Sequence, residues 1–281
     1  MLSVIIPSKT EKFLDHTIKD VLKNATGDIE VIPVLDGYDT EEIKDDRVRY
    51  IRLPSARNTQ KRQGINKAVE TARGEHIMSL DAHCMVAEGF DEQLARDHKP
   101  NWVQVPRRHR LDAENWCIQD QSDDRPPIDY EYIIFKSLVG DRSIHGFKWD
   151  ARTKERQFQL IDDIVEFQGS CWFMTKEWFK KNGFMDLKYM GWGQEAEEIS
   201  FTTWKAGGAV KTNKNTWYAH LHKGKKYGRM YWMSRDECRR SYAYAFNKWL
   251  IEEKEFFISL IEKFAPLPGW STNWKEVICK L

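Results

Sequence analysis

A carboxylate and an imidazole placed two residues apart are the clearest chemical feature of this chain. Asp81 and His83 directly follow the apolar run of residues 77–80. A short buried strand that ends in Asp-x-His would place both side chains at the carboxyl edge of a sheet, where open α/β sheets bind ligands. Oxygen and imidazole nitrogen together suit a divalent transition metal, so the pair predicts a metal site. A surface turn with an exposed imidazole is the alternative for these residues alone.

The composition predicts a globular protein with a full core. Of its 281 residues, 41% are hydrophobic and 31% are charged, which suits one large domain or a domain with an appendage. The 44 basic and 43 acidic residues nearly cancel, so net charge gives no argument for a polyanionic partner, although a local cluster still could. Five scattered cysteines without a Cys-x-x-Cys pair indicate reduced thiols. Because no signal peptide or membrane span is evident, we expect a cytoplasmic protein with no membrane contact and no obligate protein partner.

Short apolar runs alternate with helical patterns over the first hundred residues, and the pattern then changes. The predicted strands cover residues 2–7, 29–35, 48–53 and 76–80, and the predicted helices cover residues 11–24 and 58–72. This alternation is typical of a mainly parallel sheet covered by helices. Residues 107–163 lack periodicity, as expected of a long surface excursion over a site or of mobile loops.

Order returns in the second half of the chain. We expect a strand over residues 165–174, a helix over residues 175–181 with Thr175 as its cap, a helix over residues 195–205, and paired short strands over residues 209–219. The pattern after Tyr227 is helical and is broken by Pro266 and Pro268.

Seven segments with chemical character follow one another in a distinctive order. They are Ser3-Val4-Ile5-Ile6-Pro7, the turn at Asp36, Arg62-Gln63-Gly64, Leu80-Asp81-Ala82-His83-Cys84, Gly169-Ser170, Trp192-Gly193-Gln194-Glu195-Ala196-Glu197-Glu198-Ile199-Ser200-Phe201, and Ala219-His220-Leu221-His222-Lys223. In order and spacing they resemble the GT-A fold glycosyltransferases, most closely the catalytic domain of the polypeptide N-acetylgalactosaminyltransferases. The resemblance implies an α/β, Rossmann-like catalytic domain over residues 1–222, with a mostly parallel central sheet flanked by helices. Residues 223–281 would form a basic and aromatic helical extension packed on it.

The resemblance also implies an enzyme that moves a sugar from a UDP-sugar to a hydroxyl acceptor. Breaking the bond to the diphosphate leaves charge that a metal and fixed cations must stabilise. Asp81 and His83 would supply two metal ligands, and His220 falls at the family's third ligand position, with His222 as the fallback. Because the set contains imidazoles, we expect Mn²⁺ rather than Mg²⁺. A packed aromatic neighbour with one hydrogen bond is the alternative role for His220.

The resemblance assigns a further group of residues to the nucleotide-sugar. The group is Pro7, Ser8, Asp36, Arg62, Asp81, Gly169 and Lys223. Asp36 resembles the carboxylate that accepts a hydrogen bond from uracil, Arg62 a basic residue near the nucleotide, and Lys223 an arginine that steadies the diphosphate. The alternatives are an ordinary turn for Asp36 and an exposed basic side chain for each of the other two.

The course of the reaction depends on the segment around residue 195. The resemblance assigns the sugar and its transfer to Trp192, Gln194 and Glu195, although packing in the core is an alternative for Trp192. In inverting relatives an acidic residue just after this glutamate removes the acceptor's proton, and here that residue is Ala196. An alanine cannot be a general base, so we expect retention of anomeric configuration. Glu197 or Glu198 could restore inversion, but both should point away from Ala196, and we expect one of them on a solvated face.

A basic and aromatic cluster follows the last of these segments. Between Lys223 and Arg240 seven basic residues stand against two acidic ones, with aromatic residues interleaved. This composition is typical of surfaces that grip phosphates and stack bases, so we expect a phosphate-bearing acceptor such as hydroxymethylated DNA. We assign it to Lys225, Lys226, Tyr227, Arg229 and Trp232, and expect a second basic cluster, residues 107–110, on the excursion.

Other interpretations of the same residues remain. The basic and aromatic cluster could be an ordinary helix with a basic outer and an aromatic inner face, and the acceptor could be a protein or a glycan. The chain could also be a non-catalytic nucleotide-sugar or nucleic-acid binding module, or a metal-dependent nucleotidyl or phosphoryl transferase. Because the family's lectin module and membrane anchor are missing, a bacterial or viral enzyme fits best.

Overall fold

The structure is a computed structural model that describes residues 1–58, 60–119, 125–135 and 143–281. Within these ranges the strands are β1 (Leu2–Ser8), β2 (Ile29–Asp36), β3 (Ile51–Leu53), β4 (His76–Leu80), β5 (Cys84–Val86), β6 (Trp102–Asp112), β7 (Cys117–Ile118), β8 (Glu131–Phe135), β9 (Ile144–Lys148), β10 (Ile161–Asp163), β11 (Cys171–Thr175) and β12 (Ala209–His220). The α-helices are α1 (Leu14–Asn24), α2 (Lys61–Thr71), α3 (Phe90–Arg96), α4 (Asp150–Glu155), α5 (Lys176–Lys181), α6 (Glu195–Lys205), α7 (Gly224–Tyr227), α8 (Arg235–Phe246), α9 (Lys254–Phe264) and α10 (Trp274–Cys279), with a π-helical segment over Asn247–Glu252. None of these helices is long and apolar enough to span a bilayer.

A mixed sheet forms the centre of the described part of the chain. Its strand order is β10-β12-β6-β11-β4-β1-β2-β3. Strands β1 to β4 run parallel, β11 is antiparallel to both β4 and β6, and β12 is parallel to β6. Strands β4 and β12 therefore point the same way, and their carboxyl ends meet at one edge of the sheet.

The pairing of β5 brings the residues at this edge into register. Strand β5 runs antiparallel to β12, with Cys84 opposite His220. The amide of Leu221 donates a hydrogen bond to the carbonyl of His83 at 3.1 Å. His83, which was predicted as a metal ligand, thus lies beside His220, the last residue of β12, although 137 positions separate the two histidines.

The first core lies between the sheet and the helices that follow β1 and β3. Helix α1 buries Ile18 and Val21, and α2 buries Ile65 and Val69, at the spacing of an amphipathic helix. Gly64 lets α2 approach β2 closely, because a Cβ there would lie 2.8 Å from a methyl carbon of Val34. Both helices are thereby held against the strands whose ends form the site.

A second core joins the C-terminal helices to the rest of the protein. Its buried members include Phe201 of α6, Ile144 of β9, Phe246 of α8, Trp249 of the π-helical segment and Phe257 of α9. The rings of Phe201 and Trp249 pack edge to face with their centroids 5.3 Å apart. The C-terminal helices therefore rest on α6 and on the β8–β9 hairpin, while the boundary at residues 222 and 223 stays a prediction.

The expectation that residues 107–112 form part of a surface excursion, with an accessible basic cluster on it, is wrong. Residues 107–112 belong to the central strand β6 and not to a loop, so the basic cluster of residues 107–110 is largely buried. Arg107 pairs with Asp129 at 2.7 Å and Arg108 with Glu131 at 2.6 Å. Strands are normally recognised in a sequence by their apolar residues. Here charged residues in ion pairs occupy buried positions of the strand, so the apolar pattern is missing. Residues 120–124 and 136–142 of the excursion lie outside the described residues.

The expected pair of short strands over residues 209–219 is one long strand. Strand β12 continues to His220, with an irregularity between Asn213 and Trp217 that shifts its register against β6. The helix after β11 is as predicted, because the side chain of Thr175 accepts a hydrogen bond from the amide of Trp178 and caps α5.

Candidate active site

A cleft of about 970 Å³ opens where the carboxyl ends of the parallel strands meet. Twelve of the residues predicted for the site line it: Pro7, Ser8, Asp36, Asp81, His83, Gly169, Trp192, Gln194, Glu195, His220, Lys223 and Arg229. Five do not: Arg62, Lys225, Lys226, Tyr227 and Trp232. The predicted metal, sugar and diphosphate residues thus share one cleft, and most of the predicted acceptor residues lie outside it.

Asp81, His83 and His220 converge at the centre of this cleft. One ligand atom from each residue lies within 4.8 Å of the other two. The Nε2 atoms of the two histidines are 3.0 Å apart, and Nε2 of His220 is 3.5 Å from Oδ2 of Asp81. His222, the fallback ligand, is not a member of the cluster, and its ring centroid lies 5.2 Å from that of His220.

The protonation of this cluster fits a divalent cation. Burial lowers the pKa of His220 to about 3, so the imidazole is neutral and has a lone pair to offer. Burial opposes the charge of Asp81, but Lys61 and the two imidazoles outweigh it and hold its pKa below the usual range. One carboxylate and two imidazole nitrogens are a donor set typical of Mn²⁺ and other transition metals.

Lys61 is a member of the site that the sequence did not reveal. Its Nζ lies 2.9 Å from Oδ1 of Asp81, 2.7 Å from Oε2 of Glu195 and 3.3 Å from the carbonyl oxygen of Gly169. Burial opposes the ammonium charge, but the two carboxylates raise the pKa of Lys61 above its ordinary value. A fixed cation therefore stands between the metal cluster and the first turn of α6.

Glu11 holds the opposite side of the cluster. Its carboxylate faces Nδ1 of His83 at 3.4 Å and binds the ammonium of Lys223 with both oxygens at 2.6 Å. Although burial opposes its charge, His83 and Lys223 hold the pKa of Glu11 below its usual range. A carboxylate behind a ligating histidine fixes the ring and its tautomer, leaving Nε2 for the metal.

The end of the cleft near β1 and β2 is where the nucleotide base was expected. Asp36 accepts hydrogen bonds from Lys9 at 3.1 Å and from the amide and side chain of Gln60 at 2.8 and 3.0 Å. Ser8 hydrogen-bonds the hydroxyl of Tyr38. Asp36 therefore lies on the cleft wall, but its oxygens already have partners.

Arg62 is placed differently from its predicted role. It is buried behind the cleft, forms an ion pair with Glu198, and donates a hydrogen bond to the carbonyl of Gly193 at 3.0 Å. Its guanidinium also lies 4.5 Å from the ring centroid of Tyr189. Because Arg62 does not line the cleft, we correct its assignment: it supports the turn before α6, and its neighbour Lys61 faces the site.

The first turn of α6 also corrects an expectation. Glu197 and Glu198 are both buried, so neither lies on a solvated face. Glu198 is held by Arg62 and by the amide of Asp186, whereas Glu197 lines the cleft and accepts a hydrogen bond from Gln194 at 3.2 Å. Burial raises the pKa of Glu197 to about 7. Ala196 lines the cleft without a titratable group.

Two exposed indole rings each carry a guanidinium group over them, and one of these pairs, Trp192 with Arg229, lines the cleft. Trp192 is 42% exposed and Trp232 is 50% exposed. The guanidinium of Arg229 lies 4.7 Å from the ring centroid of Trp192, and that of Arg57 lies 4.4 Å from the ring centroid of Trp232. We call these four residues the mouth surface.

The remaining predicted acceptor residues stand apart from the mouth surface. Lys225 is exposed, and Lys226 pairs with the exposed Glu114 at 2.6 Å. Tyr227 packs edge to face on Phe13, with their centroids 5.5 Å apart, and so has a structural role.

The chain is similar to known glycosyltransferases in sequence and in fold. The profile of the family described as Glycosyl transferase family 2 matches residues 3–183. Polypeptide N-acetylgalactosaminyltransferase 12 of Mus musculus is 26% identical over 278 residues, which cover 91% of this chain and 45% of that protein. Polypeptide N-acetylgalactosaminyltransferase 10 of Homo sapiens is 26% identical over 241 residues, which cover 79% of this chain and 38% of that protein. The chain thus spans less than half the length of these curated relatives.

A solved structure described as GalNAc-T7 with UDP, GalNAc and Mn²⁺ has the same fold. It superposes with a TM-score of 0.69 at 20% identity, over 98% of this chain and 53% of that one. The expected α/β fold of the GT-A type is therefore confirmed. Because the profile matches more than half of its residues, the chain belongs to glycosyl transferase family 2.

Proposed function

We propose that the protein transfers a sugar from a UDP-sugar to a hydroxyl acceptor with the help of a divalent cation, Mn²⁺ in vitro. The observation that carries this proposal is the convergence of Asp81, His83 and His220 on one point beside the first turn of α6. GalNAc-T7, which shares the fold, is described with UDP, GalNAc and Mn²⁺. When bound, the cation would stabilise the charge that develops on the leaving diphosphate.

Other residues of the cleft would bind the base, the diphosphate and the sugar of the donor. Pro7, Ser8 and Asp36 would receive the nucleotide base at one end of the cleft. Lys61 and Lys223, each already held by carboxylates, would add fixed positive charge near the diphosphate. Glu195 lies at the start of α6, where its carboxylate could bind sugar hydroxyls beside Gly169 and Gln194.

We propose that transfer retains the anomeric configuration. Ala196 offers no base, and the carboxylate of Glu198 is engaged by Arg62. Glu197 supports the contrary outcome, inversion, because it lines the cleft and its pKa of about 7 suits a general base. The coupling constant of the anomeric proton in the NMR spectrum of the product distinguishes the two outcomes, and the Glu197→Gln variant shows whether this carboxyl is required.

The mouth surface favours a nucleic acid as the acceptor. Exposed indole rings can stack on bases, and the guanidinium groups of Arg57 and Arg229 lie over those rings, where they could also contact phosphates. A hydroxymethylated base in DNA would bring both the phosphates and a hydroxyl nucleophile. Hydroxyl groups of proteins and glycans are the competing acceptors.

We further propose a cytoplasmic setting, in a bacterium or in a cell infected by a virus. Support comes from the cysteines, because all five are free and three of them, Cys84, Cys171 and Cys238, are buried. Free thiols persist in a reducing compartment.

A donor screen tests the proposal as a whole. Release of UDP from UDP-sugars is measured with and without Mn²⁺, with hydroxymethylated oligonucleotides, peptides and simple glycosides supplied in parallel. We expect metal-dependent UDP release that is lost in Asp81→Asn and stimulated by the true acceptor. Release of pyrophosphate or phosphate would indicate a nucleotidyl or phosphoryl transferase, and binding without turnover would indicate a non-catalytic module.

A further inference from the structure

Three glutamates from separate parts of the chain meet in the cleft, next to Glu195. They are Glu131 of β8, Glu166 of the segment before β11, and Glu197 of α6, and all three line the cleft. Glu166 is 1% exposed and Glu197 is 8% exposed. We call these three residues, together with Gln194, the acidic pocket.

Strand β9 closes over the acidic pocket at a glycine. A Cβ at Gly146 would lie 2.6 Å from Cγ of Glu166 and 3.3 Å from Oε2 of Glu131. Any larger residue would push the hairpin away from the two carboxyls. The pocket is therefore a packed feature of the fold and not a chance cluster of acids on a surface.

Two buried acceptor oxygens in this pocket lack a partner among the described residues. Oε1 of Glu166 accepts a hydrogen bond from the amide of Phe167 at 3.0 Å, but its Oε2 has none. The Nε2 of Gln194 donates to the carbonyl of Ile144 at 2.7 Å and to Glu197, whereas its Oε1 has no partner. A buried acceptor left unpaired destabilises the protein because it has lost its hydrogen bonds to water, so a ligand that donates hydrogen bonds here gains affinity.

The charge of the pocket favours a neutral ligand over a cation. Glu131 is neutralised by Arg108 at 2.6 Å. Burial raises the pKa of both Glu166 and Glu197, which reduces the negative charge that they carry near neutral pH. Hydroxyl groups meet these demands because each can donate to a carboxylate and accept from a protonated carboxyl. An acetamido group has one N–H donor and one carbonyl acceptor, but its methyl group can do neither and would be buried against these polar side chains.

The position of the pocket indicates which substrate supplies the hydroxyls. It lies beside Glu195 and Gly169, where the transferred sugar is expected, and the side chains of Glu166, Gln194 and Glu197 are buried. A polymeric acceptor would reach the cleft through the exposed mouth surface instead. The pocket therefore suits the monosaccharide that the nucleotide carries in.

We propose that the acidic pocket binds hydroxyl groups of the transferred sugar and selects a hexose over an N-acetylhexosamine. This inference rests on the proposed function of the cleft and names its donor: a UDP-hexose. Glu166 and Glu197 are then residues that determine donor specificity, because the carboxyl oxygens that pair with hydroxyl groups would instead face the methyl group of an acetamido substituent.

Calorimetric binding of UDP, UDP-glucose, UDP-galactose, UDP-N-acetylglucosamine and UDP-N-acetylgalactosamine in the presence of Mn²⁺ tests the proposal. We expect at least one UDP-hexose to bind about tenfold more tightly than both N-acetyl donors, which corresponds to about 1.4 kcal/mol. The isosteric variants Glu166→Gln and Glu197→Gln should each lose most of this preference and leave the affinity for UDP itself within about twofold. Glu177→Gln, which changes an exposed glutamate of α5, is the matched control.

The outcomes separate this inference from the proposed function. If UDP binds with Mn²⁺ but an N-acetyl donor binds as tightly as the best hexose, the selection of a hexose is overturned while the nucleotide site stands. The inference is also overturned if both variants fold, as judged by their melting temperatures, and keep the wild-type preference. If UDP does not bind at all, the proposed function fails and the inference falls with it.

Discussion

Lys61 and Asp81 form an ion pair of 2.9 Å at the centre of the cleft, between the start of α2 and the end of β4. The same ammonium binds Glu195 of α6 at 2.7 Å, so one lysine connects the metal cluster with the helix expected to hold the sugar. Two carboxylates thereby share one fixed positive charge, and a divalent cation bound at Asp81 would add a second.

Removal of Lys61 should destabilise the protein in a way that a metal partly restores. Lys61→Met leaves Asp81 and Glu195 without their shared cation, and breaking such a pair costs about 3–5 kcal/mol when it is fully buried. We expect the lower end of that range because Lys61 and Asp81 remain 17% and 22% exposed. Thermal unfolding should show a lower Tm, and Mn²⁺ should raise the Tm of this variant more than that of the wild type.

Lys67→Met on the same helix is the control, because Lys67 is exposed. An unchanged Tm for Lys61→Met without metal would show that the two carboxylates do not depend on this lysine.

The Arg62–Glu198 ion pair should contribute to stability and not to nucleotide binding. Removing one partner leaves a buried charge unpaired, so Arg62→Met and Glu198→Leu should each cost about 3–5 kcal/mol. The double variant should be clearly less destabilised than the sum of the single variants, since neither charge is then left alone. Denaturant unfolding measures all three values, and UDP affinity at a temperature where the variants are folded should change less than about threefold. A large loss of UDP affinity without loss of stability would show that Arg62 binds the nucleotide, as the sequence predicted.

Glu197 should make stability fall as the pH rises toward neutrality. Burial raises its pKa from the ordinary 4.5 to about 7, with Glu131 and Glu195 acting in the same direction and Arg62 against it. The folded protein therefore holds a proton here that the unfolded chain releases, so this contribution to stability is present below about pH 4.5 and is lost as the pH passes 7.

Glu197→Gln keeps the neutral shape at every pH and should escape this loss. The Tm of the variant minus that of the wild type should increase between pH 5 and pH 8, at roughly 2–4 °C for each kcal/mol. The pKa of Glu166 is also raised, but Glu166 is present in both the wild type and the variant, so the difference between their Tm values reports on Glu197. A difference in Tm that does not vary with pH would mean that Glu197 is ionised throughout this range.

The mouth surface should bind oligonucleotides through charge and stacking. Arg229→Ala should weaken binding about equally for all sequences and reduce the slope of log Kd against log salt by about 1. Trp232→Ala should remove stacking worth about 1–3 kcal/mol and leave that slope unchanged. Fluorescence anisotropy at several salt concentrations measures both effects, with Lys275→Ala in α10 as the control because Lys275 is an exposed basic residue that is not part of the mouth surface. Equal effects of all three variants would remove the support for a nucleic-acid acceptor.

The parts of the fold that the sequence predicted are those with regular hydrophobic patterns. Strands β1, β2 and β4 are nearly continuous apolar runs because both faces of the sheet are covered by helices. Strand β6 was not predicted, and its residues 107–112 were expected on a surface excursion, because the buried Arg107 and Arg108 are neutralised by Asp129 and Glu131, more than twenty positions away. A local sequence pattern does not predict an ion pair between residues that are far apart in the chain.

The sequence likewise predicted only those site residues that belong to a recognisable motif. Asp81, His83 and His220 were found because their order resembles a known family, and the register of β5 against β12 brings them together. Lys61 and Glu11 carry no such motif, and their roles follow from the chain's path. Arg62 was assigned from the resemblance, and its neighbour Lys61 was not considered. Adjacent residues of a helix point about 100° apart, so the sequence does not fix which one faces the cleft.

Binding of Mn²⁺ and UDP tests the central claim most directly, because the claim requires one cation held jointly by Asp81, His83 and His220. Isothermal titration should find one Mn²⁺ per chain and an affinity for UDP that rises at least about tenfold with Mn²⁺. His220→Ala and Asp81→Asn should lose this dependence, and His222→Ala should keep it, because His222 lies outside the cluster. UDP binding that is indifferent to Mn²⁺ in the wild type, or metal dependence that survives His220→Ala and Asp81→Asn, would contradict the account.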